Sequence, residues 1–291
     1  MMAGEVCVLD VSHGDQVGKV REIRLADTKK EDIPKVEIHD DEYCMSHKKR
    51  GKMIIINQKR FHRDLRKEGI VDREGSDMDC RALKGIFRKL GFDVQVHANV
   101  HAQSLLDIMS KAAAEDHGDR DCFACAILSH GEEGIVYGHD KKVPIADIVR
   151  PFVGDNCPSL VNKPKLFFIQ ACRGMKFDHG TEVGVDMTDG PELQLGDVIS
   201  LPVEADFLFA YSTVSGYYSW RNAGRGSWFI QSLVKNLEQY EKKRVDLVRL
   251  LTRVNKDVAQ DFESINDEVE IFNRAKQVPC ITSMLTKKVY L

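Results

Sequence analysis

The sequence predicts an α/β fold: a mostly parallel sheet with helices on both faces. Three features point to it, namely short wholly apolar runs of strand length, amphipathic stretches of helix length, and their regular alternation along the chain. A strand that is apolar at every position, rather than at every second one, is buried on both faces, and a sheet between two helical layers provides that burial.

The first ordered element is Met53-Ile54-Ile55-Ile56-Asn57, a β-branched run with polar flanks that reads as a buried strand. A loop with Gly69, Arg73, Glu74 and Gly75 follows. Ser76 is placed to cap a helix whose Leu83, Ile86, Phe87 and Leu90 share one stripe, with Gly91 to end it. Phe92, Val94 and Val96 alternate as a strand, a helix is expected over about 104–115, and 122–128 is a second apolar strand. A helix near 145–152 leads to an apolar strand at 165–169. Between 175 and 200 the pattern dissolves into glycine, acids, Thr and Pro191, the composition of a linker. A strand at 207–213, helices from 227 to about 240 and from about 246 to 262, and a closing strand within 280–291 complete the pattern. The first 50 or so residues are polar and aperiodic, a tail too short for a helical adaptor domain.

Composition narrows the function classes. Among 291 residues, 42 basic side chains face 45 acidic ones for a formal charge of −3, so no global field favours nucleic acid or an acidic membrane. No uncharged run approaches the roughly 20 residues that span a bilayer, and the start of the chain lacks a leader-like apolar core, so a cytoplasmic protein is expected. The eight cysteines are scattered as in a reduced protein. Cys122 and Cys125 have CxxC spacing, but they lie in one apolar strand with no second pair, which favours buried core over zinc. No metal is expected. No glycine-rich loop fits a nucleotide fingerprint, so no cofactor is expected either. The run His47-Lys48-Lys49-Arg50-Gly51-Lys52 reads as a solvated basic face.

Two apolar strands end in reactive residues: one runs into Ser129-His130-Gly131, the other into Gln170-Ala171-Cys172-Arg173-Gly174. In an open α/β sheet the carboxyl ends of the strands form the ligand crevice, so a thiol and an imidazole are expected to meet there. An imidazole takes the thiol proton and later protonates a departing amine. A glycine beside each lets a backbone N–H approach a developing oxyanion, and the amides of Gly131 and Cys172 are the candidate donors.

The pentapeptide ending the second strand resembles the active-site signature of the caspases, with the expected histidine 42 residues upstream. The resemblance continues through Ser129-His130-Gly131-Glu132-Glu133-Gly134, Pro202-Val203-Glu204-Ala205-Asp206-Phe207, Tyr217-Tyr218-Ser219-Trp220-Arg221-Asn222 and Gly226-Ser227-Trp228-Phe229. It implies a caspase-like three-layer sandwich on a six-stranded sheet, and a cysteine endopeptidase that cuts proteins and peptides after aspartate. It implies a primary pocket of Arg73, Gln170 and Arg221, whose buried guanidinium groups require a carboxylate. It also implies an apolar pocket of Tyr218, Trp220 and Phe272 for the preceding residue, and a distal one at Asn222 and Trp228.

The linker carries Asp178, Asp186, Asp189 and Asp197, and Asp189, ending Asp186-Met187-Thr188-Asp189, is the expected cleavage site of a zymogen. Asp40 or Asp41 is the expected site in the tail, ahead of Asp10. The resemblance thus divides the chain into a short prodomain (1–41), a large subunit (42–189), a linker remainder (190–200) and a small subunit (201–291). Without an adaptor domain the chain resembles the executioner branch, acting in apoptosis, activated by an upstream protease and paired as a homodimer through its C-terminal strand. The rival reading is a catalytically silent homologue that binds regulatory partners, and the complete set of reactive residues weighs against it.

Overall fold

In the computed structural model, residues 41–174, 205–222, 224–240, 243–264 and 275–291 are described, with Asp155 and Tyr240 by backbone alone. The sheet is built around β1 (Lys49–Asn57), whose last seven residues are all buried. Beside it lie β2 (Phe92–Ala98) on one side and β3 (Arg120–Leu128) on the other, both parallel to it, pairing Met53 with Val94 and Ile54 with Cys125. Next come β7 (Lys165–Gln170) and β8 (Phe207–Tyr211), again parallel, and the edge strand β11 (Cys280–Ser283), which is antiparallel. The order is β2-β1-β3-β7-β8-β11.

Strand periodicity divides the core into two layers. Met53 and Ile55 face a cluster with Leu83, Ile86 and Phe87 of α2 (Ser76–Lys89), Leu233 of α5 (Trp228–Tyr240) and Val254 of α6 (Leu247–Asp261). Ile54 and Ile56 face the opposite cluster, with Leu105 and Met109 of α3 (Ala102–Ala113) and Ile148 of α4 (Ile145–Val149). Each fully buried aliphatic side chain contributes about 1.5–3 kcal/mol, and a slip of one residue would exchange the two faces, so the runs fix register as well as depth. Helix, sheet and helix make three layers, as the sequence predicts.

From β1 the chain first goes to β2 on one side and then returns to β3 on the other. That reversal opens the crevice at the carboxyl ends of β1 and β3, where parallel sheets bind ligands.

Several elements depart from expectation. Ser76 does not cap α2: it is the first helical residue and is buried, and the cap is Gly75 in the left-handed region (φ 85°). The stretch around Gly69 holds a five-residue helix, α1 (Arg63–Lys67). Pro151, which cannot donate to an α-helical ladder, turns the end of α4 into a 3-10 turn over Arg150–Phe152. The strand expected to reach residue 213 stops at Tyr211. A three-stranded antiparallel sheet of β4 (Gly131–Glu132), β5 (Ile135–Tyr137) and β6 (Lys142–Pro144), and a pair β9 (Arg221–Asn222) and β10 (Gly226–Ser227), are too short to carry a periodicity.

Order begins ahead of β1. Glu42 bridges to Lys288, and the buried Tyr43 hydroxyl donates to Asp206 at 2.6 Å. Cys122 and Cys125 are fully buried within β3 and burial pushes both thiols up, as core cysteines. Among the described residues no helix is long and apolar enough to cross a membrane, and no group of three His, Cys, Asp or Glu side chains is arranged to hold a metal ion.

Candidate active site

The sheet register sets the site. Leu128 pairs with Gln170, and the ladder extends by a bond from the Ser129 amide to the Gln170 carbonyl at 3.0 Å. Two residues beyond that pair stand His130 and Cys172, on adjacent parallel strands whose spacing is about 4.8 Å. Gly131 makes the closeness possible: a Cβ there would lie 2.7 Å from the Ile135 carbonyl oxygen and 2.8 Å from both the Ala171 methyl and the Cys172 carbonyl oxygen. The β4–β5 ladder bond runs from the Tyr137 amide to the His130 carbonyl, so Gly131, opposite Val136, occupies the unbonded position and turns its N–H away from β5.

His130 is held by a backbone group. Its Nε2 donates to the Val71 carbonyl at 2.8 Å, which leaves Nδ1 bare as the proton acceptor. The Phe61 ring lies 5.0 Å away between centroids. Burial brings the imidazole down to about 4, and the charges of Arg73 and Arg221 add to that, while the Val71 carbonyl and Asp72 oppose it. The Cys172 thiol is pushed up by burial, partly offset by the same two arginines, and its Sγ lies 4.0 Å from the Ser219 carbonyl oxygen. At neutral pH the resting pair is therefore a neutral thiol and a neutral imidazole.

The loop after Cys172 is pinned on both sides. The Arg173 amide donates to the Tyr217 carbonyl at 3.1 Å and the Gly216 amide to the Arg173 carbonyl at 2.8 Å. The Arg173 guanidinium pairs with Glu133 at 2.5 Å and lies over the Tyr211 ring at 4.3 Å.

Arg73 is 1 % exposed, and its Nη1 donates to the Gln58 backbone carbonyl at 3.0 Å. Its Nε and Nη2 are buried with no hydrogen-bond partner. Burial brings this guanidinium down to about 9, with repulsion from Arg221 second. Arg221 is half-buried, anchored by a bond from Nε to the Glu74 carbonyl at 2.7 Å. Gln170, also buried, donates from Nε2 to Ser219 Oγ at 2.7 Å and leaves Oε1 unpartnered. A half-turn of that amide would let Ser219 donate to Oε1 and free the NH₂ to donate elsewhere. Buried donors left unpaired cost about 1–3 kcal/mol each, so this arrangement calls for an acceptor with two oxygens.

The aromatics form a row. Tyr218 is exposed and lies 5.7 Å from Trp220, which stacks on Trp228 at 5.8 Å, and Trp228 stacks on Phe262 at 5.4 Å. Trp228 is itself buried in the core cluster, between Trp220 and Phe262. The Asn222 side chain caps a turn, accepting from the Gly224 amide at 2.9 Å and the Arg225 amide at 3.0 Å. Asp41 is exposed and pairs with Lys288 at 2.5 Å. Phe272, Asp40, Asp189, the rest of the tail and the linker remainder lie outside the described residues.

Sequence reasoning missed the Val71 carbonyl, Gln58, Ser219, Asp79 and Phe262. A backbone carbonyl leaves no residue signature. Gln58, by contrast, stands just past the apolar run of β1 and was legible as a strand-end polar group.

A model of the caspase domain matches residues 50–290. The chain is 48% identical to caspase-7 of Gallus gallus over 250 residues, covering 86% of this chain and 79% of that protein. It is 46% identical to caspase-1 of Drosophila melanogaster, covering 87% and 76% of the two chains. With caspase-3 of Mesocricetus auratus it shares 44%, covering 86% and 87%. The crystal structure of caspase-1 from Spodoptera frugiperda superposes with a TM-score of 0.78 at 39% identity, covering 88% of this chain and 96% of that one.

Proposed function

The chain belongs to the caspase family and is a cysteine-type endopeptidase that cuts proteins after aspartate, and we propose that it does so as an executioner-type enzyme of apoptosis, made as a zymogen. The observation that carries the site assignment is Arg73, a buried guanidinium with two N–H groups aimed at no protein acceptor. With Arg221 and Gln170 beside it, the group the pocket lacks is a carboxylate. Tyr218 and Trp220 offer an apolar wall for the preceding side chain, with Phe272 joining them, and Asn222 and Trp228 bound the distal subsite.

The reaction then follows from the geometry. A bound aspartate sets its own carbonyl carbon before Cys172. The thiol proton passes to His130 Nδ1 as the sulfur–carbon bond forms, and the carbonyl oxygen gathers charge facing the amides of Gly131 and Cys172. Collapse breaks the carbon–nitrogen bond, and His130 returns the proton to the leaving amine. Water, losing a proton to His130, then attacks the thioester and restores the thiol. Val71 keeps the imidazole in the tautomer that both half-reactions need.

For maturation we assign cleavage after Asp189 by an upstream protease, separating a large subunit (42–189) from the small one (201–291) with its linker remainder (190–200), with a second cut at Asp40 or Asp41 releasing the tail. The processed pairs assemble as a homodimer along the β11 edge, in the cytoplasm. The test is turnover of fluorogenic peptides that differ only in ending with Asp, Glu or Asn, beside a Cys172→Ala control. Turnover confined to Asp is expected. Equal rates on Asp and Asn would overturn the pocket assignment, and activity retained by Cys172→Ala would overturn the nucleophile.

A further inference from the structure

Against the strand pair that carries Arg221 lies a buried carboxylate for which the reaction has no use. Asp79, in the first turn of α2, is 2 % exposed. Both of its oxygens are committed: Oδ1 accepts from the Ser227 amide and Oδ2 from the Ser227 hydroxyl, each at 2.8 Å. Gly226 packs so closely that a Cβ on it would lie 2.2 Å from Asp79 Oδ1, and its φ of 90° suits glycine alone. Ser227 is the ladder partner of Arg221, so the carboxylate is fixed to the strand pair that carries one pocket arginine.

Its charge acts on both Arg73 and Arg221. Asp79 is thus tied to the pocket through the Arg221–Ser227 strand pair, with its charge felt by both arginines. Asp79 bonds to neither guanidinium, so it does not fill the pocket, and it stays in place as a fixed negative charge.

We propose that Asp79 is a specificity-determining residue, which rejects a glutamate side chain by like-charge repulsion as its longer reach carries the carboxylate past the arginines. The inference rests on the reading of Arg73, Gln170 and Arg221 as the carboxylate pocket. Aspartate stops at the guanidinium groups. One further methylene moves the charge about 1.5 Å deeper, where both oxygens of Asp79 already have their donors and offer it no hydrogen bond. Specificity of this kind is set as much by the repelling group as by the attracting ones. Keeping a carboxylate here has a cost to the fold, because burial pushes it up to about 6, against the pull of Ser227 and of both arginines.

The readout is the ratio of kcat/KM for two peptides identical but for a terminal Asp or Glu, in which the protonation of His130 and Cys172 cancels. In Asp79→Asn the ratio should fall about tenfold, since the amide keeps both bonds to Ser227 and loses only the charge. In the parent enzyme the same ratio should fall as pH drops from 7.5 to 5, while in the variant it stays flat. The other charged groups facing Asp79 are Arg73 and Arg221, and its own helix carries Asp77, Cys80, Arg81, Lys84, Arg88 and Lys89. Arg73, at about 9, and Cys80, at about 11, do not change charge in that window. An unchanged ratio in the folded variant would overturn the inference. Should the variant fail to fold, a pH-independent ratio in the parent enzyme would overturn it as well. If the parent cleaves Asp and Asn peptides alike, the pocket reading itself has failed, a result distinct from either.

Discussion

Replacing Arg73 by methionine separates what the pocket gives to recognition from what it costs the fold. The guanidinium has one bond, to the Gln58 carbonyl, and two buried N–H groups without partners. A substrate carboxylate taking both gains two charge-assisted bonds at about 1.5–3 kcal/mol each, so their loss removes about 3–6 kcal/mol. At 1.4 kcal/mol per decade, kcat/KM on an aspartyl peptide should fall by about 10²–10⁴-fold. Stability should move the other way. The arginine is held down to about 9, first by burial and then by Arg221. Between that value and the ordinary arginine range the unfolded chain binds more protons than the folded one, so stability rises with pH there. Below about 9 both states carry the proton and the full burial cost stands. Methionine fills similar volume without the charge, and exchanges of this kind are neutral or stabilising by about 1–4 kcal/mol. Peptide kinetics and thermal melting without ligand read the two halves. A kcat/KM within threefold of the parent would show that Arg73 receives no carboxylate, and a lowered melting temperature would show that its charge supports the fold.

Gly131→Ala forces a methyl to within 2.8 Å of Cys172 and closer still to the Ile135 carbonyl. It should cost about 1–3 kcal/mol in urea unfolding and more than about 10²-fold in kcat by displacing the oxyanion amide, and normal kcat would remove Gly131 from that role. Tyr43→Phe strips a buried donor from Asp206 and should lower stability by about 1–3 kcal/mol while leaving peptide kinetics unchanged. An unaltered denaturation midpoint would show that Thr286, which also donates to Asp206, satisfies it alone. Asp189→Ala should keep the precursor a single chain when a processing protease is added, and two fragments on a denaturing gel would place the main cut elsewhere.

The three-layer architecture was legible because its central strands carry runs that are apolar at consecutive positions. Met53 to Ile56 must face both ways, and α2 shows its stripe at Leu83, Ile86, Phe87 and Leu90. The catalytic ends of β3 and β7 were legible for the same reason, since a polar Ser-His-Gly or Gln-Ala-Cys after seven or four apolar residues marks where the strand leaves the core. What escaped was set by main chain or by tertiary contact. Two-residue strands such as β9 and β10 have no period to detect, Ser76 looked like a cap although a left-handed Gly75 takes that place, and the carbonyl of an exposed Val71 orients His130 whatever its side chain is. Asp79 read as an ordinary acid in a first helical turn. Only its burial against Gly226 and Ser227 sets it apart.

The arginines act on the catalytic pair as well as on the substrate. Their charges depress His130, adding to its burial, and they pull the Cys172 thiol down against its own burial. With the pocket unfilled, the imidazole is a weak base near 4 facing an un-ionised thiol, an arrangement slow to attack any stray carbonyl. An aspartate that enters cancels part of that positive field. His130 becomes more basic at the moment it must take the thiol proton, so recognition raises kcat as well as lowering KM. Because His130 must be neutral to act, activity is lost as pH falls through its pKa. The acid limb of kcat, which reports the bound enzyme, should therefore lie at higher pH than that of kcat/KM, which reports the free one. Coincident limbs on the aspartyl peptide would mean that the pocket and the dyad are electrostatically independent, and that the carboxylate serves for binding alone.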